Sequence, residues 1–193
     1  MRATGSFGDW SVRAIVGTMM PILVALSVLE MGSGFVLHEL ERTFLGRPTL
    51  LVLVPVMIAM GGNLGSILSS RLSTRLHLGT LEFSPRNPAI LTNVVATLAL
   101  AATVFAALGV AAYGLSLLPL VGVGGGMTFT ETVTVSFVSG MALAVVAVFL
   151  SITATYVSYR MGLDPDDTTI PVVTNLCDIL GVVILAVVGS VVL

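Results

Sequence analysis

The chain has no lysine, a single cysteine and two histidines, and only 9% of its 193 residues are charged. Each scarcity removes a class of function. Without lysine there is no phosphate-binding loop of the Gly-rich, Lys-containing kind. There is also no polybasic run to suggest nucleic acid or anionic lipid as a partner. The lone Cys177 rules out an intrachain disulfide, and it reads as a small buried hydrophobe. His38 and His77 lie outside the apolar runs, and no Gly-x-Ser-x-Gly elbow occurs, so an intramembrane serine hydrolase would lack its base. An aspartyl hydrolase would have to pair Asp178 with Glu30, a formal possibility that nothing else in the sequence supports. The reading is therefore of a protein that is not an enzyme and needs no cofactor. Soluble domains carry roughly 25% charged residues. With 9% charged and 56% hydrophobic residues, this composition is that of an integral membrane protein.

At roughly 20 residues per span, the length accommodates five or six helices and no second soluble domain. The apolar runs predict an all-α domain over 1–193 with helices at about 13–37, 49–70, 88–118, 131–159 and 168–193. Between them lie a polar loop from His38 to Pro48, an arginine-bearing stretch from Arg71 to Asn87, and a loop with Gly122, Gly124, Gly125 and Gly126. The third run is longer than a bilayer requires, which implies tilt or overhang. Asp9 near the start, with no small-residue cleavage site, argues against a cleaved signal.

Five spans place Arg2, Arg13, Arg71, Arg75, Arg86 and Arg160 on one side, and Arg42 and Arg47 on the other. The positive-inside rule then predicts a cytoplasmic N-terminus and an external C-terminus. An odd, unduplicated set of helices is too small to enclose a pore alone, so a homodimer with the path at or near its two-fold axis is expected.

Chemistry concentrates in two stretches. From Ile179 to Leu193 there is no charge, so Asp178 is an isolated carboxylate in an apolar helix, costly unless compensated and thus a functional candidate. On a helix, Asp178, Thr174 and Pro171 share one face, with Asn175 beside it. The other stretch is Gly61-Gly62-Asn63-Leu64-Gly65-Ser66 in the second span. An amide at membrane depth needs a partner, and the flanking glycines predict a break that turns backbone carbonyls, that of Gly62 among them, into a cavity. Pro55 also leaves the Leu51 carbonyl without its helical donor. Oxygen ligands with few carboxylates suit a largely hydrated magnesium ion better than zinc. Glu30 in the first span is a further candidate. Asp164 sits at the mouth of the fifth span, while Asp166 and Asp167 read as helix-start acids.

The segment Val54 to Ser66, followed by Ser70-Arg71-Leu72-Ser73-Thr74-Arg75-Leu76, resembles helix 2 of the MgtE and solute carrier family 41 magnesium transporters. The stretch from Leu163 through Asp164, Ile170 and Pro171 to Asp178 resembles that family's entry to helix 5. The resemblance implies a homodimeric divalent-cation pathway lined by helices 2 and 5, with magnesium as the transported ion. It implies that Asp178 is the central site, that Asn63 lies near it, that the Thr174 carbonyl adds a contact, and that Asp164 marks the cytoplasmic end. Only about a dozen residues precede the first span, so the expectation is one membrane unit without the cytosolic sensor of bacterial members. Two alternatives stay open: a proton- or sodium-coupled exchanger, and a non-transporting subunit of a larger membrane complex.

Overall fold

The computed structural model describes residues 12–81, 83–84, 87–118 and 127–193, all of them helical or in short connections. Six helices follow in order: α1 (Val12–Glu39), α2 (Glu41–Leu45), α3 (Pro48–His77), α4 (Pro88–Ser116), α5 (Phe129–Arg160) and α6 (Pro165–Val192). All but the short α2 are long and apolar enough to cross a membrane. The N-terminal segment and the glycine-rich loop singled out in the sequence lie outside the described residues, as does Arg86.

Local chemistry sets the helix ends. Asn87 caps α4 by accepting from the Ala89 N–H, and Pro88 follows as the first helical residue, where its missing N–H costs nothing. Thr128 and Glu131 form a reciprocal capping box at the start of α5. Asp164 caps α6 through the Asp166 N–H at 3.0 Å. Gly79 and Gly162, both with positive φ (65° and 70°), reverse the chain after α3 and α5.

The centre is a three-helix cluster of α3, α5 and α6, with α4 laid against α5 and α3, and α1 against α6. Glycines set the closeness of these packings. The α4–α5 seam closes where the fully buried Phe105 ring occupies the space a side chain at Gly140 would need. Along the same seam the Ser136 hydroxyl donates to the Phe105 carbonyl at 2.8 Å. Small residues with hydroxyl cross-links are how helices associate where lipid gives no hydrophobic drive.

Three differences from the sequence expectations have physical causes. The second span continues to His77, two turns past Ser70, because Leu68, Leu72 and Leu76 keep the buried i, i+4 stripe going while Arg71 and Arg75 stay exposed on the adjacent stripe. The polar loop after α1 contains α2, whose Phe44 is almost fully buried. The Gly61-Gly62 segment is no break: α3 is continuous from Pro48 to His77. Its glycines serve packing, as the site shows.

Candidate cation site

Where α3 meets α6, two glycines let the backbones approach. A Cβ on Gly62 would stand 2.9 Å from the Thr174 methyl and 3.6 Å from an Asp178 carboxylate oxygen. One on Gly61 would stand 2.7 Å from Leu143 and 3.3 Å from the Cys177 Cβ. Gly65 likewise faces Val173 and Ser151. Asp178 therefore lies against the bare backbone of Gly62, on the same α6 face as Thr174, as the helical spacing required.

Polar contacts fix this junction. The Ser66 hydroxyl lies 2.7 Å from the Gly62 carbonyl, to which it donates, and 3.1 Å from the Thr174 hydroxyl. One turn deeper in the core, the Ser151 hydroxyl of α5 reaches the Gly65 carbonyl at 2.9 Å. The Asn175 amide donates to the Pro171 carbonyl at 2.9 Å, one turn back along its own helix. Its side-chain oxygen is buried with no partner among the described residues.

Glu30 arrives from α1. Its carboxyl lies within hydrogen-bonding reach of the Asp178 carboxyl, so two acids from helices far apart in sequence meet at membrane depth. Asn63, next to Gly62, is exposed on α3, and Glu30 is exposed on α1, whereas Asp178, Thr174 and Asn175 are half-buried. Two carboxyls and a hydroxyl beside a glycine backbone, with the Asn63 amide next to it in sequence, offer oxygen atoms of the kind a hard cation takes.

Asp164 is not part of this constellation. It stands 14 residues before Asp178 on the same helix, about 21 Å along the axis at 1.5 Å per residue. There it faces the end of α3, with the His77 Nε2 3.8 Å from its carboxylate. His77, Asp164 and Asp166 present ligand atoms within 4.8 Å of one another, all on exposed side chains. The sequence reading named Gly62, Asn63, Thr174, Asn175, Asp178 and Glu30 but gave no role to Ser66 or His77. Ser66 was legible as the residue one turn beyond Gly62. His77 meets Asp164 only through the antiparallel packing of α3 and α6.

Comparison with known proteins identifies the family. The family model MgtE, described as a divalent cation transporter, matches residues 54–188, from α3 to near the end of α6. Solute carrier family 41 member 3 of Mus musculus is 30% identical over 179 residues, covering 86% of this chain and 36% of that protein. The Rattus norvegicus protein of the same name is 27% identical over 179 residues, covering 89% and 37%. The chain thus spans little more than a third of the length of these relatives. The matched region contains both the Gly62 segment and Asp178. The chain is a multi-pass membrane protein and belongs to the MgtE family of divalent cation transporters.

Proposed function

We propose that the protein moves magnesium or a similar divalent cation across the membrane, through a path lined by α3 and α6 with Asp178 as its central site. The observation that carries this reading is the meeting of Asp178 and Glu30 beside the bare backbone of Gly62. Two carboxylates at membrane depth are costly, and a dication between them compensates both charges at once. The Thr174 hydroxyl and the neighbouring amides supply the further oxygens that a partly hydrated ion requires. Family membership supports the same cargo.

A homodimer completes the path. Asn63 and Glu30 are polar, at membrane depth and exposed in the single chain. Lipid cannot satisfy them, and the matching face of a second copy, related by a two-fold axis, can. The arginine distribution supports a cytoplasmic N-terminus, which places the Asp164 end of α6 at the cytoplasmic mouth.

The test is magnesium uptake by vesicles holding the purified chain, set beside protein-free vesicles. Uptake that scales with protein content is expected. If a correctly folded chain gives none, the transport reading fails and the subunit reading takes its place. One observation also favours coupled exchange: the paired carboxyls can hold a proton when the cation leaves. Under that reading an outward-directed divalent gradient drives proton entry in the same vesicles. A divalent flux indifferent to pH gradient would eliminate proton coupling.

A further inference from the structure

We propose that the cavity between the end of α3 and the start of α4 binds the phosphate headgroup of an anionic phospholipid. The cavity measures about 500 Å³ and is lined by Arg71, Thr74, Arg75, Leu78, Thr80 and Asn93. The sequence holds no basic run here. The i, i+4 spacing along α3, extended by the two turns that the sequence reading missed, puts two guanidinium groups at one opening.

Its two guanidinium groups pair with no carboxylate among the described residues. Both threonine hydroxyls donate to main-chain carbonyls of α3, Thr74 to Ser70 at 2.8 Å and Thr80 to Arg75 at 3.1 Å. What remains to donate is the pair of guanidinium groups. The ion pairs among the described residues are His38 with Glu41 and His77 with Asp164, so neither arginine faces a carboxylate there. Arg71 is nonetheless held in place. Its Nη1 lies 3.5 Å from the side-chain oxygen of Asn93, which is 8% exposed and donates in turn to the Ala89 carbonyl at 2.8 Å. A planar, fixed guanidinium beside a second cation is the geometry that phosphate oxygens take.

The surroundings select a lipid over a free anion. Arg71 lies six residues before the end of α3, about 9 Å along the axis at 1.5 Å per residue. That is headgroup depth for a helix that leaves the bilayer near His77. On the membrane side of the same helical stripe stands Ile67, 46% exposed, and the lining itself includes Leu78, 70% exposed. An amphiphile with a phosphate at one end and hydrocarbon at the other matches both parts, and basic pockets between membrane helices recognise such headgroups.

The full chain, purified in phosphatidylcholine nanodiscs, is titrated with phosphatidylglycerol while its melting temperature is followed. A parallel arm adds inorganic phosphate. Arg75→Gln, whose side chain has no partner among the described residues, is the variant that leaves folding untouched, and Arg71→Gln/Arg75→Gln removes the site. Arg160→Gln is the control, a cation that sits over the Tyr156 ring at 5.8 Å, away from the cavity. Phosphatidylglycerol is expected to raise the melting temperature of wild type and Arg160→Gln alike, with apparent affinity falling about fivefold for each of Arg71 and Arg75 removed. Inorganic phosphate is expected to do nothing. Equal stabilisation by inorganic phosphate would overturn the lipid assignment. An equal loss in Arg160→Gln would reduce the effect to general surface charge and overturn the site. A shift in dimerisation on Arg75→Gln, with the lipid response unchanged, would give the face to a second copy instead.

Discussion

Alanine at Gly62 is the smallest change that reaches the proposed path. Its Cβ would stand 2.9 Å from the Thr174 methyl, about 0.6 Å inside the roughly 3.5–4.0 Å at which carbon atoms pack. The next nearest atoms, an Asp178 oxygen and the Thr174 Cα, are both at 3.6 Å and tolerable. Relief comes by rotating Thr174, which breaks its 3.1 Å contact with Ser66, or by moving α6 off α3 at Asp178. Overpacking of this kind costs about 1–3 kcal/mol, and at about 2–4 °C per kcal/mol for a chain of this size the melting temperature falls by about 2–12 °C. Magnesium uptake should be lost even in the fraction that stays folded, because the displaced group is the proposed ligand. Thr174→Ser removes only the offending methyl and keeps the hydroxyl, so Gly62→Ala/Thr174→Ser should recover most of both losses. Gly114→Ala on α4, with nothing within 4 Å, should be silent. A Gly62→Ala protein with wild-type melting and uptake, or a double variant no better than the single, would refute the claim that α3 and α6 are held together at Asp178 by this glycine.

Other positions separate fold from site. Phe105→Ala empties the space beside Gly140 in the α4–α5 seam and should cost about 3–5 kcal/mol, read as a large fall in melting temperature. Ser151→Ala loses the hydroxyl that bridges to the Gly65 carbonyl at 2.9 Å. It should cost about 0.6–1.5 kcal/mol, the range for hydrogen bonds between membrane helices, with uptake per folded molecule unchanged. Glu30→Gln keeps a hydrogen-bonding group beside Asp178 but removes one charge, so divalent uptake should persist with weaker saturation, measured as a raised half-saturating magnesium concentration.

The class of fold was legible because nothing but membrane helices explains so few charges in so long a chain. The face carrying Pro171, Thr174 and Asp178 was legible because helical periodicity alone brings these residues together. What depended on other elements was not. The Gly-Gly-Asn segment suggested a broken helix, yet Gly61, Gly62 and Gly65 each meet a different neighbour across a continuous α3, and sequence spacing cannot distinguish a hinge from a packing surface. The arginines at 71 and 75 looked like the end of the second span, but charges at headgroup depth leave the helix backbone unbroken, and α3 runs on to His77. Glu30 and Asp178 made only a formal pair in the sequence, because they lie on the first and last helices and only the docking of α1 on α6 joins them. Asp164, which the resemblance assigns to the cytoplasmic end of the path and not to the central site, lies about 21 Å from Asp178 by the rise of the helix.

That separation makes the decisive measurement a comparison of two aspartates. Magnesium uptake into vesicles is followed over a range of concentrations for wild type, Asp178→Asn and Asp164→Asn at matched protein content. Saturable uptake is expected in wild type, near-complete loss in Asp178→Asn, and saturable uptake with a higher half-saturating concentration in Asp164→Asn, which alters the mouth alone. Wild-type uptake by Asp178→Asn, with the protein folded to the same melting temperature, would contradict the account at its centre.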